Sequence, residues 1–138
     1  MARLVVDASV ALTWCFEDEA TPWGDALLAR IRGGDQVVVP AIWPSEIANS
    51  LLIAIRRSRI EMTKARRFVD DLCALPIAID PVSAERVLRQ AFLVAAQYKL
   101  TVYDATYLEL AVRERLPIAT LDDALRSAAR AEGASLLP

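Results

Sequence analysis

The sequence predicts an α/β domain, with a central, mostly parallel sheet and helices on both faces. Two observations carry this. Short apolar runs alternate with helical patterns from end to end, and the runs Leu4-Val5-Val6, Val37-Val38-Val39 and Ile118-Ala119 are continuous rather than polar at every second position. Strands buried on both faces read this way, and strand–helix alternation supplies the crossovers that a parallel sheet needs. A third observation, the absence of any linker, repeat or low-complexity stretch, makes residues 1–138 a single domain. That length is enough to bury a core without disulfides.

The elements follow in order. Residues 3–7 read as a buried strand, and a short helix follows over 9–16. Thr21-Pro22 is a helix start, an N-cap with proline at the first helical position, and Gly33-Gly34 is the matching stop. Strand 36–39 precedes a helix from about Pro44 to Ser58. Thr63 is placed to cap a helix over 64–74 that Pro76 ends, and residues 77–80 make a third strand. Ser83 is placed to cap a long helix with an apolar stripe at Val87/Leu88, Ala91/Phe92 and Ala95. A helix over 103–115, strand 117–121, a helix over 122–132 stopped at Gly133, and a terminal strand at 134–137 complete the pattern.

Composition removes several kinds of chemistry. There is no histidine, which excludes Ser-His-Asp and Cys-His catalysis and histidine-ligated metals. The two cysteines, Cys15 and Cys73, have no partners for a zinc site and read as buried, reduced thiols of a cytoplasmic protein. No apolar run approaches the roughly 18 residues of a membrane span. The formal net charge of −2 gives no global basic field, so nucleic-acid binding would have to use a local patch.

Four acids stand where a globular sequence has little reason to place charge. Asp7 and Asp122 end strand runs, while Glu46 and Asp104 sit in first helical turns. Each alone has a structural reading as a cap or a dipole partner. Together they fall at the carboxyl edge of one sheet, where ligands of open α/β folds bind. Asp7 follows a wholly apolar strand, and Asp104 heads the inward stripe Asp104-Leu108-Ala111. Buried carboxylates without a cation repel one another, and a bound divalent ion removes that conflict. Oxygen-only ligation points to Mg²⁺ or Mn²⁺, whose usual work is to activate water and neutralise charge at a phosphate ester.

The segments Leu4-Val5-Val6-Asp7-Ala8-Ser9, Pro44-Ser45-Glu46-Ile47-Ala48-Asn49, Tyr103-Asp104-Ala105-Thr106-Tyr107 and Thr120-Leu121-Asp122 resemble, in order and spacing, the four motifs of the PIN-domain ribonucleases, and most nearly the VapC-type toxins of bacterial toxin–antitoxin pairs. The resemblance spans essentially the whole chain. It implies a three-layer α/β/α PIN-like domain acting as a Mg²⁺- or Mn²⁺-dependent endoribonuclease, held inactive by a cognate VapB-like antitoxin and usually dimeric. Carried over, Asp7, Glu46, Asp104 and Asp122 are the acidic quartet. Asp7 and Asp104 would be direct metal ligands, with Glu46 and Asp122 acting through water. Ser9, Asn49 and Thr120 would be supporting hydrogen-bonding residues. Asp123 is a departure that leaves two adjacent acids for one role, and the Thr-x-Asp spacing favours Asp122.

A dense basic segment, Arg56, Arg57, Arg59, Lys64, Arg66 and Arg67, interrupts an otherwise acidic chain. It is a candidate for RNA phosphates, with Arg56, Arg57, Arg59 and Lys64 foremost, and equally an ordinary solvated helix–helix turn. Trp14, Phe16, Trp23 and Trp43 read as core rather than as base-stacking platforms. The helix over 47–55, apolar on more than one face, reads as buried on two sides, in part against another chain. Two rival functions fit a small α/β domain with acids at strand ends: a phosphoacceptor receiver-like module, and a catalytically silent interaction domain. The first requires a lysine after a late strand, and none occurs beyond Lys99.

Overall fold

Leu4, Val5 and Val6 are entirely buried, and this makes β1 (Arg3–Val6) an inner strand, flanked on both edges. On one side it pairs in parallel with β2 (Gln36–Val39), Leu4 opposite Val37. On the other side it pairs in parallel with β4 (Ile118–Ala119), Val5 opposite Ile118. The edge strand β3 (Ile77–Ile79) lies outside β2, again in parallel, so the order is β3-β2-β1-β4. The chain thus steps outward from β1 to β3 and then crosses back to add β4 on the far side of β1. That reversal puts the topological switch point between the carboxyl ends of β1 and β4. The structure is a computed structural model and describes residues 1–137.

Helices flank this sheet, giving the layered α/β arrangement expected. They are α1 (Ala8–Thr13), α2 (Pro22–Arg32), α3 (Trp43–Arg56), α4 (Met62–Cys73), α5 (Ala84–Arg86), α6 (Phe92–Tyr98), α7 (Val102–Glu114) and α8 (Asp123–Ala131). Several caps are those the sequence marks. Thr21, Ser83 and Thr101 each accept a hydrogen bond from the backbone N–H three residues on, and Gly133, at φ +75°, follows α8 in a left-handed conformation that other residues adopt at a cost. α7 carries the deepest core residues of any helix, with Tyr107, Leu108 and Leu110 fully enclosed.

Other details differ from the sequence expectation. Thr63 does not cap α4; the N-cap is Glu61, and Ala65 N–H bonds to its carbonyl. Buried Ile60 and Ala65 flank that cap in the positions of a hydrophobic staple, and the helix enters two residues earlier than expected. α1 stops at Thr13, whose hydroxyl donates back to the Val10 carbonyl, and a 3₁₀ turn over Glu17–Glu19 follows. α3 ends at Arg56, short of Ser58, which has φ +56°. The long helix after Ser83 contains a π turn over Val87–Ala91 between α5 and α6. That extra residue per turn changes the register, so Ala91 and Ala95 stay buried while Leu88 and Phe92 of the expected stripe are 73% and 58% exposed. The expected terminal strand is a single parallel bridge between Ile118 and Leu136, and Pro138 lies outside the described residues. Of the two cysteines only Cys15 is buried, because Cys73 falls on the outer face of α4; both are free thiols. No helix is long and apolar enough to cross a membrane.

Arg113, near the end of α7, joins the layers electrostatically. It donates to Asp80 at the end of β3, to Glu109 one turn back and to Glu114, while Arg86 of α5 also reaches Glu109. Asp80 and Glu109 are both buried, so this network is what makes their burial tolerable.

Candidate acidic site at the sheet switch point

Asp7 is the anchor. Its backbone N–H bonds to the Ala119 carbonyl, continuing the β1–β4 ladder by one residue, and the side chain is only 4% exposed. Two hydroxyls converge on one oxygen. Ser9 Oγ and Thr120 Oγ1 each donate to Asp7 Oδ2 at 2.7 Å. Both hydroxyls are themselves fixed, since Ser9 Oγ accepts from Leu121 N–H and Thr120 Oγ1 from Asp122 N–H, each at 3.1 Å. The loop after β4 is held in turn by Arg126, which donates to the carbonyls of Thr120 and Leu137. Burial holds the Asp7 carboxyl above its ordinary range, against the lowering effect of the two hydroxyls, and the charge of Asp122 adds to the rise.

Glu46 lies in the first turn of α3, half-buried. The Tyr107 hydroxyl donates to its Oε1 at 2.6 Å from a ring with no exposed surface. Burial raises the Glu46 carboxyl, the Tyr107 bond opposes this, and the charges of Asp7 and Asp104 raise it further. Asp104, in the first turn of α7, is raised by burial and then by Asp122 and Asp7. Its backbone N–H takes the Thr101 cap, and a side-chain hydrogen bond from Thr101 opposes part of that rise. Asp122 caps α8 through Oδ1, which accepts from Leu125 N–H at 2.8 Å. Asp123 is exposed, whereas the charge of Asp122 raises both Asp7 and Asp104, so of the adjacent pair Asp122 is the one directed toward the other acids.

The structure therefore brings the four acids, from four different parts of the fold, into a linked set: Asp7 and Asp104 each feel Asp122, and Glu46 feels both Asp7 and Asp104. Among the described residues no three acidic or thiol side chains are grouped closely enough to hold a metal ion as they stand. The donors are all hard oxygens, a set suited to Mg²⁺ or Mn²⁺ and unsuited to soft metals.

The remaining candidates are placed differently. Asn49 lies one turn beyond Glu46, exposed, and makes no side-chain hydrogen bond to the acids among the described residues. Arg56 and Arg57 sit at the opposite end of α3, about 15 Å along the helix from Glu46 at 1.5 Å per residue. Arg59 is engaged, donating to Asp18 and Glu19 and stacking 4.0 Å above the Phe16 ring. Lys64 is exposed and lines a 430 Å³ hollow with Trp14, Glu17, Glu61, Arg67 and Asp71. Trp43 and Phe16 belong to the core, as the sequence suggests, and Trp14 and Trp23 pack at its margin. Leu52 and Ile53 of α3, each 38% exposed, form the second apolar face expected of that helix. Tyr107 was not singled out by sequence reasoning. Its only signal is its position three residues after Asp104, on the inward face of the same helix.

Comparison with known proteins points in one direction. The family model for the PIN domain matches residues 4–131. Ribonuclease VapC3 of Pyrobaculum aerophilum is 28% identical over 120 residues, covering 87% of this chain and 89% of that protein. The structure of PAE2754 from the same organism superposes with a TM-score of 0.71 at 22% identity, covering 99% of this chain and 91% of that one. VapBC2 from Rickettsia felis, solved bound to a DNA fragment from their promoter, gives 0.66 at 12% identity, with 97% and 96% covered. FitAcB from Neisseria gonorrhoeae gives 0.62 at 14% identity, with 98% and 96% covered. The three superpositions establish the shared fold.

Proposed function

The chain belongs to the PIN-domain family, and on that premise we propose that it is a divalent-metal-dependent endoribonuclease of the toxin–antitoxin class. The observation that carries this is the treatment of Asp7. A carboxylate buried at the sheet switch point, raised by that burial and further by the charge of Asp122 although pinned by two hydroxyls, is costly to keep unless a cation is to be held there. The name of the Pyrobaculum relative, a ribonuclease, supports RNA as the substrate. The VapBC neighbour supports an antitoxin as partner.

In this reading Asp7 and Asp104 would hold Mg²⁺ or Mn²⁺ directly, with Glu46 and Asp122 acting through water. When bound, such an ion would supply charge neutralisation at a phosphate ester and a more acidic water. The chain's own residues do the positioning. Ser9 and Thr120 fix the orientation of Asp7, and the N-cap bond of Asp122 holds one of its oxygens and leaves the other uncommitted. With no histidine in the chain, proton transfer from the attacking water falls to a carboxylate, and Glu46, raised by burial and not assigned as a direct ligand, is suited to accept it. Arg56, Arg57 and Lys64, which make no ion pair among the described residues, are the cations available for RNA phosphates, whereas Arg59 is occupied by Asp18 and Glu19. The exposed Leu88, Phe92 and Leu93 and the second face of α3 support burial against another chain, a second copy or the antitoxin.

The test is RNA cleavage by purified, partner-free protein. Cleavage is expected with Mg²⁺ or Mn²⁺, none in EDTA, and none from Asp7→Asn or Asp104→Asn variants that keep their circular dichroism. Full activity in EDTA, or in both variants, ends the proposal.

A further inference from the structure

Asp7, Asp122 and Glu46 each have one oxygen committed to a protein donor. Asp7 Oδ2 is held by Ser9 and Thr120, Asp122 Oδ1 by the Leu125 amide, and Glu46 Oε1 by the Tyr107 hydroxyl. The first two donor sets lie close in sequence to the acids or on adjacent strands. The third joins α3 to α7 across 61 positions of sequence and is the only side-chain hydrogen bond Glu46 receives among the described residues. Glu46 is a long, half-buried side chain with several rotatable bonds, so without that donor its carboxylate has many positions open to it. Tyr107 has almost none, because its ring is wholly enclosed by the core and delivers the hydroxyl from a fixed place.

We propose that Tyr107 is a positioning residue of the acidic site. Its hydroxyl, donated to Glu46 Oε1, sets the carboxylate of α3 in register with Asp104, which stands one turn earlier on the same helix as Tyr107. α7 thereby supplies one acid directly and fixes a second, and the spacing between the two becomes a property of a single rigid helix. A hydroxyl suits this task better than a basic side chain. It donates one short bond without adding a cation that would compete with a metal for the acids, and burial keeps the phenol protonated and therefore a donor.

The inference rests on the metal-dependent reading of the site, and the experiment separates the two. Tyr107→Phe keeps the ring and removes only the donor. Mn²⁺ binding by calorimetry and RNA cleavage are measured for wild type, Tyr107→Phe, Glu46→Ala and the double variant. We expect Tyr107→Phe to weaken Mn²⁺ binding or lower kcat by about 10- to 100-fold. KM for RNA should stay within about twofold, and melting should remain cooperative. In the Glu46→Ala background the same substitution should have no further effect on metal binding or kcat, since its only route to the site is gone. Unchanged Mn²⁺ affinity and kcat in Tyr107→Phe, beside an active wild type, overturn the inference alone. So does an equal loss in both backgrounds, which marks a purely structural ring. Wild-type protein that neither binds Mn²⁺ nor cleaves RNA overturns the inference and the functional reading together.

Discussion

Replacing Asp7 by Asn should stabilise the metal-free protein and destabilise it relative to wild type once metal is added. Asp7 is 4% exposed, and burial raises its carboxyl in the folded state. A raised folded pKa means that the folded state holds this proton more tightly than the unfolded chain. The favourable contribution is therefore complete below the unfolded value near 3.8 and is lost as pH rises through the folded value, leaving a net cost at neutral pH. Desolvating the carboxylate costs several kcal/mol even after relaxation. Ser9 and Thr120 offset part of this, and exchanging a charged acceptor for a neutral amide gives up about 1 kcal/mol per hydrogen bond, or about 2 kcal/mol for the pair. The net expectation for Asp7→Asn is a gain of about 2 kcal/mol, or about 6 °C in Tm for a domain of this size. In saturating Mg²⁺ at about 100 times Kd, wild type gains about 2.7 kcal/mol by linkage, whereas the variant, lacking a charged ligand, gains little. Thermal melts at pH 7 in EDTA and in Mg²⁺ should thus cross. An Asn variant less stable than wild type in EDTA, or one with an undiminished Mg²⁺ shift, would falsify the account of Asp7 as a buried charge awaiting a cation.

Further outcomes follow from neighbouring contacts. Thr120→Val removes both the donor to Asp7 and the acceptor for Asp122 N–H, and should cut kcat about 10- to 100-fold in cleavage assays while the fold persists. Asp123→Asn should leave cleavage within about twofold, but Asp122→Asn should lose far more than that at nearly unchanged Tm, because Asn caps a helix as well as Asp; equal effects in the two variants would mean that the wrong acid has been assigned. Arg113→Ala strands Asp80 as a buried charge and leaves Glu109 with Arg86 alone, and should cost about 3–5 kcal/mol in urea unfolding, with part of the loss recovered on acidification. Arg59→Ala should cost less than about 1 kcal/mol, as exposed ion pairs generally do, and should leave KM for RNA unchanged.

Which parts of this architecture are legible in the sequence depends on how local their causes are. The parallel sheet is legible because its strands are buried on both faces, and continuous runs such as Val37-Val38-Val39 have few other readings. Asp7 and Asp122 stand out for the same reason, as charges directly following such runs. The caps at Thr21, Ser83 and Thr101 are written in three-residue windows. Tyr107 is not legible, since a tyrosine at helical spacing reads as core and its hydroxyl partner lies 61 positions away. The engagement of Arg59 by Asp18 and Glu19 is hidden likewise, because sequence shows a basic cluster but not the 3₁₀ turn brought to meet it. The π turn before α6 defeats the periodicity argument directly. A period of 3.6 was assumed through Val87–Ala91, and the inserted register turns Leu88 and Phe92 outward.

The hydrogen bond from Thr120 to Asp7 spans 113 positions of sequence. β1 is made first, yet its neighbour on the acidic side is β4, the last strand to be synthesised. A nascent chain therefore carries an incomplete site until β4 emerges. Contacts of such high sequence separation form late, after the loop-closure cost has been met. For a toxin to RNA, the order of these strands would delay the appearance of activity until β4 has been made. A truncated product that ends before β4 lacks Thr120 and Asp122 together, and with them the means to hold Asp7 in place.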